Sequence, residues 1–339
     1  MKKITYIIAA LAFGVFLAGC GGVKVDNAAS GSGTAATVKH RTPKKAYEDQ
    51  IKLAWVPWNV SDAVGTAWGE GIRREISVYP NVAFQIFDGK SLAETQVQII
   101  TDLINQKYDA IILQSADSAA LADSVRKAED AGIPVICLNL DADTPHAGLI
   151  AMIDIEAGAL IAQQIARALK DQGNVVIIQA AIGASRGERL EAGFRAEMAK
   201  HPNIKILDAQ TGEWITDKAR VVMSDYLTKY PKIDAVFAHN DAMAEGASQA
   251  VESVGRLKEM VIWGADGEKK MLEYIENNKL TGTIYTNCYD QGATAARLAM
   301  YLLNSDIDTS QNQVTPVIKM SPIIVTKENV NTIGENIRW

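Results

Sequence analysis

FAHNDAMAEGA, Phe237 to Ala247, is the stretch that decides how this chain folds. The apolar run Ala235-Val-Phe-Ala238 ends abruptly in His239-Asn240-Asp241, and small and apolar residues then resume at helical spacing. An apolar run without polar alternation suits a strand covered on both faces by helices. In open parallel sheets, ligands bind outside the carboxyl ends of the strands. Polar side chains at this strand end are therefore positioned to hold something. Asp241 is read as the cap of the following helix, a role its type favours, and Asn240 as the residue that faces a ligand.

The same pattern occurs earlier, in YDAIILQSADSAAL from Tyr108. Each copy reads Asp-Ala, apolar run, polar residue, Asp, then a helical segment; the earlier one ends in Gln114 with Asp117 nearby. Around it lie IKLAWV, NVAFQIF, DAIILQ, IPVICLN and GLIAMID, and around the later copy NVVIIQA, IKILDAQ, DAVFAHN, VIWGAD and TGTIYTN. Helical segments alternate with these runs. In SLAETQVQIITDLINQK, Leu92, Gln96, Ile99, Ile100, Leu103 and Ile104 share one face, the spacing of an amphipathic helix. Gly132 and Pro134 mark a helix stop leading into a strand. The reading is an α/β fold of two Rossmann-like lobes with parallel sheets, facing each other through their strand ends. Gly158, Gly193 and Gly246 are read as sites of close helix packing. Trp55, Trp68 and Trp263 are read as core.

The chain opens with MKKITYIIAALAFGVFLAGC, two lysines followed by an apolar stretch too short for a membrane span, which needs ~20 residues. Leu17-Ala-Gly-Cys20 resembles a bacterial lipobox. That resemblance implies cleavage before Cys20, lipidation of Cys20, and attachment to the membrane through acyl chains. Residues from Gly21 to about Glu48 are rich in Gly, Ala, Ser, Thr and Lys without apolar period, and are read as a flexible tether. About 290 residues follow, enough for two lobes. The net charge is −6 with both signs mixed, and no basic stripe points to nucleic acid. Cys137 and Cys288 are read as buried free thiols rather than a disulfide.

Polar and aromatic residues at the strand ends form the candidate site: Trp58, Asn59, Asp62, Gln114, Asp117, Asn139, Asp141 and Asp154 from the first half, and Arg186, Arg189, Trp214, Asn240, Asp241, Asp266 and Asn287 from the second. No Gly-x-Gly-x-x-Gly follows the first strand, as a dinucleotide site requires; Gly65, Gly69 and Gly71 come too late. His40, His146, His201 and His239 are scattered rather than clustered for zinc. There is no Gly-x-Ser-x-Gly elbow for a nucleophilic hydrolase. Amides, carboxylates and guanidiniums suit hydroxyl groups that both donate and accept, and indoles such as Trp58 and Trp214 suit the C–H face of a sugar ring. The composite is a site for a neutral polyol, with no cofactor and no metal.

DAVFAHNDAMAEGA, VIWGADG and TGTIYTNCYDQGA, in that order, resemble the periplasmic sugar-binding proteins of ABC transporters, the ribose- and galactose-binding group. The likeness covers about Ile51 to Lys327 and implies a periplasmic-binding-protein-like I fold whose lobes, joined by a three-strand hinge, close over one monosaccharide. It implies a lobe of 49–153 plus 287–319 and a second of 154–286 plus 320–339, after a signal segment 1–19 and a lipidated tether 20–48. By the same resemblance Asn240, Asp266, Trp214, Gln114, Asp62 and Asn139 match ligand positions, Asn287 sits where an amide is placed with Thr286 as the competing register, and Asp154 binds or braces the hinge. The chain departs from the pattern in three places. Its first loop reads WNVSDAVGTAW, so Trp58 stacks from a different place. Ala265 stands where ribose binders have Phe. RLEAGF is one residue longer than usual, so either Arg186 or Arg189 reaches the ligand. The resemblance implies a monomeric, lipid-anchored, extracytoplasmic capture protein that docks on a permease, with no catalysis. A sensor presenting its ligand to a chemoreceptor or kinase, and a sugar-metabolising enzyme, are the alternatives.

Overall fold

The computed structural model describes residues 42–339. The signal segment, Cys20 and all but the end of the tether lie outside the described residues. Each apolar run becomes a strand: β1 (Ile51–Val56), β2 (Val82–Ile86), β3 (Ala110–Leu113), β4 (Val135–Leu138), β5 (Gly148–Met152), β6 (Gly173–Gln179), β7 (Ile204–Thr211), β8 (Ala235–Ala238), β9 (Val261–Trp263) and β10 (Gly282–Tyr285). The runs β3, β4 and β8 are buried at every position, as strands packed on both faces must be.

Helices fill the intervals: α1 (Ala63–Ile76), α2 (Ala93–Asn105), α3 (Ser118–Asp130), α4 (Asp154–Ala168), α5 (Ser185–Met198), α6 (Thr216–Lys229), α7 (Asp241–Ser253), α8 (Lys269–Glu276) and α9 (Cys288–Asn304). In α2 the expected face is only partly right. Gln96, Ile100 and Leu103 are buried, but Leu92 precedes the helix and is exposed. Gly132 ends α3 region with φ +79°, a left-handed turn that favours glycine.

Two further strands, β11 (Val317–Met320) and β12 (Ile323–Thr326), complete two six-stranded sheets. The first has the order β11-β5-β4-β3-β1-β2 and is parallel throughout. The second has the order β12-β10-β9-β8-β6-β7 and is parallel except for the antiparallel pair β10–β12. The chain passes between the sheets three times: from β5 to α4, from β10 to α9, and from β11 to β12. Each sheet separates two apolar layers. Leu53 and Trp55 of β1 face the layer shared with α1 and α9, while Ala54 and Val56 face the layer under α2 and α3.

The helices that flank the sheets pack backbone to backbone. A Cβ on Gly158 of α4 would lie 1.9 Å from the Leu190 carbonyl oxygen of α5, and one on Gly246 of α7 would lie 2.1 Å from the Thr216 oxygen of α6. The tether ends earlier than its composition implies. The Lys44 N–H donates to the Leu303 oxygen at 2.7 Å, the Ala46 N–H donates to Asn304 Oδ1 at 3.0 Å, and Ala46 is buried. Partners supplied by α9, distant in sequence, fix a segment that carries no apolar period of its own. Cys137 and Cys288 are both free and buried.

Candidate functional site

The carboxyl ends of the two sheets meet across a narrow cleft. Trp58, Asp62, Val64, Trp68, Gln114, Asn139 and Leu140 line it from the first lobe, and Arg186, Trp214, Asn240 and Asp266 from the second.

On the first side, one buried glutamine organises two loops. Gln96 of α2 donates to the oxygens of Pro57 at 3.2 Å and Gln114 at 2.8 Å, and its own oxygen accepts from Ala116 at 2.8 Å. Gln114 in turn accepts the Trp58 N–H at 2.9 Å, so the ends of β1 and β3 are tied together. Asp62 caps α1 by accepting the Gly65 N–H at 3.0 Å. Burial pushes its carboxyl up, opposed by that N–H and by the Gln114 side chain. Asn139 follows β4 with φ 60°, a left-handed conformation that asparagine tolerates better than most residues, and its Oδ1 accepts the Met152 N–H at 3.1 Å.

On the second side, Arg186 lies in the first turn of α5 and is 4% exposed. Its Nη2 is 2.9 Å from Asp266 Oδ1 and 3.2 Å from the Ala265 oxygen, its Nη1 is 3.4 Å from the His239 oxygen, and its guanidinium stands 5.9 Å from the Trp214 ring centre. Burial pushes the Asp266 carboxyl up, assisted by Asp241 and opposed by Arg186. Trp214 follows β7 in a left-handed conformation, φ 65°, and its carbonyl accepts the Asn240 amide at 3.4 Å.

The roles expected for Asn240 and Asp241 are partly exchanged. Asn240, which lines the cleft, is also the cap of α7, accepting the Met243 N–H at 2.9 Å. Asp241 is fully buried and accepts from Gly267 at 2.8 Å, Glu268 at 3.0 Å and Thr283 Oγ1 at 2.6 Å. It thereby fixes the loop that carries Asp266.

Seven residues expected at the site do not line the cleft: Asn59, Asp117, Asp141 and Asp241, and with them Asn287, Asp154 and Arg189. Asn287 caps α9 by accepting the Asp290 N–H at 3.2 Å, and it lines a separate depression with Arg74, Tyr289 and Arg297. Asp154 stands behind Arg186, with its Oδ1 3.6 Å from Arg186 Nε and its Oδ2 2.9 Å from Arg189 Nη2. Arg189 also donates to the Asn139 backbone oxygen at 3.0 Å, so it spans the lobes rather than entering the cleft. Sequence reasoning missed Val64, Leu140 and the cleft-facing part of Trp68, a core residue whose indole N–H donates to Gln291 at 2.8 Å. Val64 and Trp68 lie one turn apart and share a face of α1, but apolar lining carries no polar mark by which to separate it from core.

A polar cleft with indoles on both walls, formed where two doubly wound lobes confront each other, defines a two-lobed α/β binding protein. Residues 53–306 match the family model described as periplasmic binding protein domain, and the chain belongs to that family. Its two mostly parallel lobes have the type I periplasmic binding protein fold. The xylitol-binding protein of Mycolicibacterium smegmatis is 32% identical over 246 residues, which cover 72% of this chain and 68% of that one. The solute binding protein of an ABC transporter from Bacillus halodurans, solved with bound myo-inositol, superposes with a TM-score of 0.77 at 26% identity, covering 84% of this chain and 96% of that one. The fructose binding periplasmic domain of a hybrid two-component system superposes with a TM-score of 0.77 at 27% identity, covering 84% and 93%.

Proposed function

We propose that this chain captures a monosaccharide or related polyol outside the cytoplasm and delivers it to an ABC importer, held at the membrane by lipid on Cys20. The observation that carries the reading is the Asp266–Arg186 pair, presented with Asn240 and Trp214 opposite Asp62, Gln114 and Trp58. Asp266 accepts two ligand hydroxyls, Arg186 donates alongside it, and the amides of Asn240 and Gln114 do both. Trp58 and Trp214 offer faces for the ring's C–H edges. Hydrogen bonds to charged groups are worth ~1.5–3 kcal/mol each, so several offset the desolvation of the cleft. Both lobes contribute, so the ligand favours the closed arrangement by its differential contacts. The relatives support this ligand class: xylitol, myo-inositol and fructose are neutral and rich in hydroxyls.

A thermal-shift screen against pentitols, inositols, pentoses and hexoses tests the proposal. A ligand at 100 times its Kd adds ~2.7 kcal/mol of stability, a readily detected shift. No response across the panel, or chemical turnover of the ligand, rejects it. A second reading, presentation of the same ligand to a signalling partner, is favoured by the similarity to a sensor's periplasmic domain. Uptake of labelled ligand that depends on this chain separates the two.

A further inference from the structure

Beneath the β4 end of the cleft, the chain turns through Asn139 and Leu140 and brings Cys137, Asp141 and His146 together. One ligand-capable atom from each, a sulfur, a carboxylate oxygen and an imidazole nitrogen, lies within 4.8 Å of the other two. The sugar-binding reading uses none of these side chains. Cys137 and His146 are fully buried, and Asp141 is partly exposed.

The His146 ring is held in a specific orientation. Its Nδ1 donates to the Val135 carbonyl oxygen at 3.1 Å, which turns Nε2 toward Asp141 Oδ1 at 2.8 Å. Two acceptors at that separation repel unless a proton or a metal cation lies between them. Histidines that bind metal commonly donate their other ring N–H to a backbone carbonyl in this way. The same Asp141 Oδ1 also accepts the Ala142 N–H at 2.9 Å, which fixes the carboxylate's orientation. The loop itself is anchored, with the His146 N–H on Thr315 Oγ1 at 3.2 Å and the His146 oxygen accepting from Asn312 at 3.0 Å.

Thiolate, imidazole and carboxylate together form a donor set for Zn²⁺ rather than for Mg²⁺ or Ca²⁺, which take oxygen. Asp141 also borders a surface depression with Ser118, Asp143, Ser185 and Glu188, which sets one member of the cluster at the solvent boundary. We propose that Cys137, Asp141 and His146 form a site for a zinc-class divalent cation, whose binding pins the loop bearing Asn139 and Leu140.

Titration of the full, chelator-stripped and reduced chain with Co²⁺ tests this, read as thiolate-to-cobalt charge-transfer absorption, with competition by Zn²⁺. One equivalent should produce the band, and Zn²⁺ should abolish it and raise Tm. The band should persist in Cys20→Ser and Cys288→Ser and vanish in Cys137→Ser. Asp141→Asn, which replaces a charged donor, should weaken the metal by at least the ~10–100-fold typical of losing a partner outside the donor set while keeping a cooperative melt and the response to sugar. His146→Gln, checked by the same melt, is the second variant that should lose binding. Absence of the band in the wild type, or a band undiminished in Cys137→Ser or His146→Gln, overturns the proposal and leaves a shared proton in the cluster.

Discussion

Arg189 Nη2 lies 3.0 Å from the backbone oxygen of Asn139, on the far side of the gap between the lobes. The same side chain holds Asp154 through Nε at 3.0 Å. It is joined by two other bonds across the gap, Asp141 N–H to Ser185 Oγ at 2.9 Å and Ser118 N–H to the Gly183 oxygen at 3.3 Å. Arg189→Met keeps much of the stem and removes the donors. A charge-assisted bond of ~1.5–3 kcal/mol corresponds to roughly tenfold or more in Kd, and the loss should fall on the closed form. Stopped-flow binding should show faster ligand release with a nearly unchanged association rate; an unchanged release rate rejects the latch role.

Asp266→Asn should abolish the sugar-induced thermal shift. It also leaves the buried Arg186 without its partner at 2.9 Å, and removal of one member of a buried pair typically costs ~3–5 kcal/mol. Asp154, 3.6 Å from Arg186 Nε, limits that cost. The variant should therefore melt cooperatively at a lower temperature and stay unresponsive to ligand. Saturable binding at wild-type affinity refutes the assignment of Asp266.

Glu268 gives a pH test away from the cleft. Burial, with Asp241 and Asp266 close by, pushes its carboxyl up to about 9 from an ordinary value of 4.5. A raised acid keeps its proton when folded and loses it when unfolded, so its contribution is complete below about pH 4.5 and declines as the pH rises toward 9. Glu268→Gln removes that titration. The variant and wild type should melt alike at pH 4, and the variant should melt higher at pH 8. Glu268 is only half-buried, so solvent reduces the size of the difference but not its sign. Equal melting temperatures at pH 8 contradict the shift.

Gly158→Ala places a methyl 1.9 Å from the Leu190 carbonyl oxygen, and backbone cannot rotate aside. Overpacking of this kind costs ~1–3 kcal/mol. The melting temperature should fall by several degrees, at ~2–4 °C per kcal/mol for a chain of this size, with sugar affinity little changed. A melt matching wild type means that α4 and α5 separate freely.

What the sequence made legible follows from burial. The inner strands showed as apolar runs because helices cover both of their faces, while β2 and β7, at the sheet edges, were legible despite the polar residues among their apolar ones. β11 and β12 escaped because they are short edge strands whose outer residues, among them Val317, Ile318 and Ile323, stay exposed. Spacing along the chain located the strand ends, so Trp58, Asp62, Gln114, Asn139, Arg186, Trp214, Asn240 and Asp266 could be placed near one another. It could not choose between Arg186 and Arg189, which lie one turn apart on α5 and differ only in the partners that the fold gives them. Nor could it show that Asn287 turns its side chain to its own helix.

Three passages between the sheets have a consequence for biogenesis. The first lobe takes α9 and β11 from the far end of the sequence, so Trp68, Ile136 and the edge of β5 lack their covering until almost the whole polypeptide has emerged. A nascent chain cannot complete its first half early, so the strands made first stay uncovered while the second half is still being synthesised. Truncation before Val317 should likewise yield no autonomous half, only a sticky fragment subject to proteolysis.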